Sequence, residues 1–264
     1  MLFLLFYLSK RWYQYKFKNT SFMVSKNQIK TITGLQQKKY RGQEKLFFAE
    51  GIKVVQELLN SSFVLHHLYT TEMVFDNVPA NKITIITPVE LKKISALTTP
   101  QACLALFTIP DEKPVPDTGL IMVLDDVRDP GNLGTIIRLC DWFGISHLVC
   151  SLQCVDSYNP KVVQATMGSL ARVNIVYTEL TEYLSKTKLP VFGTFMDGSN
   201  IYKEPLPNEG IIVMGNEANG ISSGVEALTS QRIAIPRFGS LQQTESLNVA
   251  TAAAIILSEF RRTV

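Results

Sequence analysis

The chain has 264 residues, room for one large or two ordinary domains, and its 46% apolar content is ample for packed cores. Its net charge of +3 is unevenly spread: residues 1–53 hold eleven Lys and Arg against two Glu, leaving fifteen basic against twenty-one acidic residues in the rest. A basic end suits a polyanionic partner, because neutralising phosphates releases counterions, but it also describes a plain solvated tail.

Met1 to Leu8 is wholly apolar, yet too short to span a bilayer. Lys10 and Arg11 follow this run, whereas a secretory signal places its charge first, so no membrane partner is expected. Residues 1–22 therefore read as an extension upstream of Met23, expected to be disordered or a misassigned start. A capping box, Ser25 with Gln28, then opens a helical stretch carrying Ile29 and Ile32 on one face. The basic cluster Lys38-Lys39-Tyr40-Arg41 follows. Strands are expected at Leu46–Ala49, Leu65–Tyr69, Ile83–Ile86 and Ala102–Phe107, with helices at Gly51–Leu59 and Pro88–Ala96. This alternation defines a small α/β domain over residues 23–108.

Residues 109–118 carry three prolines and several charges, the composition of a linker. Beyond it, over 119–264, short apolar strands alternate with helices. The strands are Leu120–Leu124, Leu148–Cys150, Asn174–Tyr177, Val191–Phe195, Ile211–Met214 and Arg232–Ile235. They lack an inside–outside alternation, as expected of a mostly parallel sheet covered by helices on both faces. A helix over Leu133–Phe143 buries Leu133, Ile136, Ile137, Cys140 and Phe143. The four cysteines form no CxxC pair and read as buried free thiols of a reducing, cytoplasmic compartment. His66, His67 and His147 lack metal-ligand spacing and read as structural.

Four strand ends could carry chemistry. Asp129-Pro130-Gly131-Asn132-Leu133-Gly134 joins a strand to a helix, where backbone amides can meet an anion; the plain alternative is a turn with Asn132 as helix cap. Arg138, six residues on, lies near the apolar side of that helix and calls for a carboxylate or a phosphate. Val213-Met214-Gly215-Asn216-Glu217-Ala218-Asn219-Gly220 places Gly215 where the chain turns sharply or a ligand comes close. It also sets Glu217 at a strand's C-terminal end, where open α/β sheets bind ligands. Ile235-Pro236-Arg237-Phe238-Gly239 leads to Glu245-Ser246-Leu247-Asn248-Val249-Ala250; there Ser246 reads as the N-cap of the final helix, and Asn248 has no evident structural role. The fourth is Gly193-Thr194-Phe195-Met196-Asp197-Gly198. The dinucleotide pattern GxGxxG is absent, which disfavours a nucleotide-cofactor oxidoreductase.

Together, and in this order, the first three blocks resemble the signature motifs of the SpoU/TrmH family of RNA ribose methyltransferases. The match runs from about Leu120 to Phe260. Residues 23–108 are more loosely similar to the ribosomal-protein-like RNA-binding domain that often precedes this module, through Lys38-Lys39-Tyr40-Arg41 and Phe48-Ala49-Glu50-Gly51. The resemblance implies an α/β catalytic domain with a C-terminal trefoil knot, a homodimer, and S-adenosyl-L-methionine as methyl donor without a metal. The substrate it implies is a ribose 2′-hydroxyl of structured RNA, ribosomal ahead of transfer. By position, it makes Arg138, Asn132, Glu217, Ser246 and Asn248 the catalytic and RNA-facing set. Thr194, Gly215, Ile235 and Leu247 would contact the cofactor, and Lys38, Lys39 and Arg41 would contact RNA. Arg138 is either a general base, for which a guanidinium is poorly suited, or a phosphate clamp. The third motif carries five extra residues, Ser240 to Thr244, compared with the shorter common form, and Ala218 stands where Gly is frequent. A non-catalytic RNA-binding or assembly protein of the same fold is the alternative, and the intact polar set argues against it.

Overall fold

A computed structural model of the chain describes residues 23–239 and 246–262. The expectations for residues 1–22 and for the extra third-motif residues through Glu245 lie outside the described residues. The chain divides into two compact units, Met1–Ile109 and Pro110–Val264.

The first unit is built on four strands: β1 (Leu46–Glu50), β2 (Leu65–Thr70), β3 (Ile83–Ile85) and β4 (Cys103–Thr108). They lie in the order β1-β4-β2-β3, with β4 antiparallel to both neighbours and β2 parallel to β3. Among the described residues four helices accompany them: α1 (Lys26–Gly34), α2 (Lys38–Glu44), α3 (Ile52–Leu59) and α4 (Pro88–Ile94). The Ser25–Gln28 capping box forms at α1, and a second one, Thr87 with Glu90, opens α4. Alternate residues of β1 enter different packing groups, as the pleat requires. Phe48 joins Leu104, Leu106, Ile32 and Ile94 in one buried cluster. Phe47 instead stacks with Phe107 at 5.7 Å and meets Phe63 edge-on at 5.2 Å.

Arg41 corrects one expectation. The basic cluster forms helix α2, which leaves Lys38 and Lys39 exposed but turns Arg41 inward. The residue is 3% exposed, and its guanidinium donates to the Leu35 carbonyl at 2.7 Å. Arg41 is thus a structural residue that ties α2 to the end of α1, not a surface contact for RNA.

Residues 110–118 hold no helix or strand, and Val115 packs against the core of the second unit. That unit is a six-stranded, wholly parallel sheet in the order β10-β8-β9-β5-β6-β7. Its strands are β5 (Leu120–Leu124), β6 (His147–Ser151), β7 (Asn174–Thr178), β8 (Val191–Asn200), β9 (Gly210–Met214) and β10 (Gln231–Ala234). The helices between and after them are α5 (Pro130–Trp142), α6 (Pro160–Thr166), α7 (Leu180–Lys186), α8 (Ser223–Glu226) and α9 (Val249–Arg261). Every residue of β5 and β9 is buried, as a sheet covered on both faces demands. On one face Ile121, Val123, Ile211 and Val213 pack with Leu180 and Leu184 of α7 and Val225 of α8. Phe260 of α9 meets Phe192 of β8 edge-on at 5.2 Å. The chain moves outward from β5 through β6 and β7, then returns to the other side, so β5 and β9 are neighbours across the switch point. Ligand sites of open parallel sheets form there, at the carboxyl ends of the strands.

Candidate active site

The loop after β5 is fastened before it reaches Asn132. Asp129 is the N-cap of α5: its carboxylate accepts the Asn132 N–H at 2.8 Å, and Pro130 fills the first helical position. The plain alternative of Asn132 as the cap does not hold, and the Asn132 side chain is left available. Upstream, Asp126 adopts a left-handed conformation with φ of 60°. Its carbonyl accepts from Asn216 Nδ2 at 2.8 Å. The buried carboxylate of Asp125 accepts the Ser222 N–H, also at 2.8 Å. Both bonds join the loop after β5 to the loop after β9.

That second loop closes on itself. Asn216 and Gly220 exchange backbone hydrogen bonds of 2.9 and 2.8 Å. A Cβ on Gly215 would fall 2.3 Å from the Gly220 carbonyl carbon, so the chain's own approach demands glycine. The Asn216 side-chain oxygen accepts the N–H groups of Ala218 and Asn219. Glu217 is thereby fixed at the crest of the turn.

Three of the expected residues meet there. Glu217 Oε1 accepts Asn132 Nδ2 at 2.8 Å, Asn248 Nδ2 at 3.0 Å and the Val249 N–H at 3.2 Å. Asn248 Nδ2 also donates to Asn132 Oδ1 at 2.9 Å, closing a ring of side chains from three loops. Hydrogen bonds to an ionised acceptor are the stronger kind, and one oxygen here gathers three donors.

Asn248 does have a structural role, contrary to expectation. Its side-chain oxygen accepts from Ala250 N at 3.1 Å and Thr251 N at 3.2 Å, making it, and not Ser246, the N-cap of α9. One amide thus caps the helix with its oxygen and binds the ring with its nitrogen. Ser246 and Leu247 precede the cap and are exposed. They line a cavity of about 1140 Å³ together with Thr194, Gly215, Glu217 and Ile235. The four expected cofactor residues therefore border one space. Its apolar walls and few polar groups fit an adenosine-bearing methyl donor of drug-like size.

Arg138 is not part of the ring. It lies about 9 Å along α5 from Asn132 and about 120° around it. The reading that put it near the apolar side of α5 is corrected: Arg138 is exposed, on a stripe with Gly131, Thr135 and Trp142, and Trp142 is 83% exposed. Among the described residues Arg138 has no hydrogen-bond or ion-pair partner. Asp125, Asp126 and Asn216 were missed at the sequence level, since each acts on a loop remote along the chain. Asp129 could have been found, because Asp before Pro at a helix start is a strong N-cap pattern.

A parallel α/β domain with a polar ring at the β5/β9 switch point, and a cavity beside it at the ends of β8, β9 and β10, is a ligand-binding class of fold. Residues 119–258 match the SpoU rRNA Methylase family, and residues 26–105 match the MRM3-like substrate binding domain. The chain belongs to the SpoU rRNA methylase family. It is 31% identical over 247 residues to the 23S rRNA (guanosine(2553)-2′-O)-methyltransferase RlmP of Bacillus subtilis, covering 90% of this chain and 97% of that protein. A solved TrmH-family structure from Porphyromonas gingivalis superposes with a TM-score of 0.84 at 41% identity, over 92% of this chain and all of that one. The AdoMet-bound rRNA methyltransferase of Sinorhizobium meliloti gives 0.80 at 27% identity, over 93% and 97% of the two chains.

Proposed function

We propose that this chain methylates a ribose 2′-hydroxyl of ribosomal RNA, with S-adenosylmethionine as donor. The observation that carries this reading is the Asn132–Glu217–Asn248 ring, whose Glu217 lines the cavity bordered by Thr194, Gly215, Ile235 and Leu247. The names of the relatives in Bacillus subtilis and Sinorhizobium meliloti support ribosomal RNA as the substrate.

When bound, the donor supplies a methyl group already made electrophilic by its sulfonium. The chain's part is to bring a hydroxyl into line and to help its proton leave. Ser246 and the remaining N–H of the Asn132 amide offer neutral hydrogen bonds to the ribose or its phosphate. Arg138, with no partner among the described residues, is available to an RNA phosphate. A guanidinium stays protonated, so a phosphate clamp suits it better than a base.

The first unit serves in this reading as the RNA-binding domain, over residues 23–108, with Lys38 and Lys39 on its exposed side. Residues 109–118 are the linker and residues 119–264 the methyltransferase domain, with a C-terminal trefoil knot as part of the same reading. A homodimer belongs to the same reading. Four buried thiols suit a cytoplasmic location.

The test is methyl transfer from labelled S-adenosylmethionine to ribosomal and transfer RNA, with 2′-O-methyl sites mapped in cells with and without the protein. Arg138→Ala is expected to abolish transfer while leaving S-adenosylhomocysteine affinity nearly unchanged. Full activity of that variant would remove Arg138 from the site. A wild-type protein that binds no S-adenosylhomocysteine would refute the enzyme reading.

A further inference from the structure

One wall of the cavity is a segment that leaves the sheet. Strand β8 pairs with β10 at Gly193↔Arg232 and next at Ser199↔Ile233, so residues 194–198 are skipped by the ladder. Such a bulge re-aims side chains and, without ladder bonds, needs other means of support. Thr194, Phe195 and Met196 of the bulge line the cavity.

Support comes from Arg232, the residue opposite Gly193. Its guanidinium lies over the Phe195 ring, with Cζ 3.6 Å from the centroid. One nitrogen bonds Asp197, two residues further along the bulge, at 2.5 Å, and the other bonds Glu226 of α8. On β8, Gly193 makes room for the same ring, since a Cβ there would fall 2.4 Å from Phe195 Cε2. The pairing with Arg232 also holds the Asp197 carboxyl below its ordinary range. Arg232 does not line the cavity itself.

We propose that Arg232 is a positioning residue for cofactor binding: anchored by Glu226, it fixes the Phe195–Asp197 bulge and so sets the shape of the cavity wall. This rests on the reading of the cavity as the S-adenosylmethionine site. A cation held over an aromatic face and paired with carboxylates on two elements is a clamp, because a planar guanidinium can stack and fork at once. A lysine can replace the charge but not that geometry.

The experiment is calorimetric titration of the full-length protein with S-adenosylhomocysteine, with methyl-transfer kinetics at varied S-adenosylmethionine. Arg232→Ala is expected to weaken S-adenosylhomocysteine binding about tenfold. It should raise KM for S-adenosylmethionine while kcat at saturation stays near wild type, and Arg232→Lys should fall between the two. Asp197→Asn alters an exposed side chain and decides the matter if Arg232→Ala does not fold; it should weaken binding by a smaller factor. Wild-type binding with unchanged affinity in a folded Arg232→Ala variant, or in Asp197→Asn when Arg232→Ala does not fold, would overturn the role of Arg232 alone. No binding by the wild type would overturn the reading of the cavity, and this inference with it.

Discussion

Glu217 Oε1 lies 2.8 Å from Asn132 Nδ2, although the two residues are 85 positions apart. Adjacent parallel strands explain the meeting. Asn132 follows β5 and Glu217 follows β9, and β5 pairs with β9 from Leu120↔Gly210 to Leu124↔Met214. Asn248 enters from a third loop and bonds both.

Residues sharing one acceptor should not act independently. Asn132→Ala and Asn248→Ala are each expected to lower kcat by about 10²-fold, the scale of a misplacement near 1 Å. Their combination should cost less than the product, with a coupling of about 0.5–3 kcal/mol. A double-mutant cycle on single-turnover rates checks this, and strict additivity would mean that the ring is not a functional unit.

The two tasks of Asn248 can be separated. Asn248→Asp retains an oxygen for the Ala250 and Thr251 N–H groups, so α9 should remain capped and Tm should hold. The new carboxylate cannot donate to Glu217 and repels it, so methyl transfer should be lost. Asn248→Ala should lose both, with a stability cost of about 1 kcal/mol for the cap. Thermal melts alongside activity distinguish these outcomes; an active Asn248→Asp enzyme would show that the donated bond is dispensable.

Lys38, Lys39 and Arg41 should divide into two behaviours. Lys38→Ala with Lys39→Ala is expected to weaken RNA binding and to flatten its salt dependence, by about 0.7–0.9 in slope for each phosphate left without its lysine. Arg41→Ala should act through stability, since it deprives the Leu35 carbonyl of a buried donor at a cost of about 1–3 kcal/mol. Binding isotherms at several salt concentrations and urea melts test both. A native melt for Arg41→Ala with a changed salt slope would restore it to the RNA surface.

Glu50 gives a pH prediction. Burial pushes its carboxyl above the ordinary 4.5, against bonds from the Ser95 hydroxyl and the Ala96 N–H. With the folded pKa raised, this group's stability contribution is fully present below the unfolded value and is lost as pH rises through the folded one. Glu50→Gln cannot ionise, so its stability relative to wild type should increase with pH across that window. Urea melts from acid to neutral pH measure the difference, and a constant offset would contradict the assignment.

Much of the architecture was legible in the residues because local rules fixed it. The Ser25–Gln28 box, the strand Leu120–Leu124 and the unalternated apolar runs of a parallel sheet each follow from local capping or hydrophobic pattern. Helices α6, α7 and α8 are only four to seven residues long and were not legible, since short helices depend on packing for their stability.

The motifs also located the residues of the site, but not what each one touches. Sequence alone placed Arg41 among the RNA contacts, and offered helix capping as the plain alternative for Asn132 and as a structural reading of Ser246. Tertiary structure buried Arg41 and gave the caps to Asp129 and Asn248. Spacing along the chain sets which face of an element a residue can occupy. Only the order of strands in the sheet determines which loops converge, and hence which donor reaches Glu217.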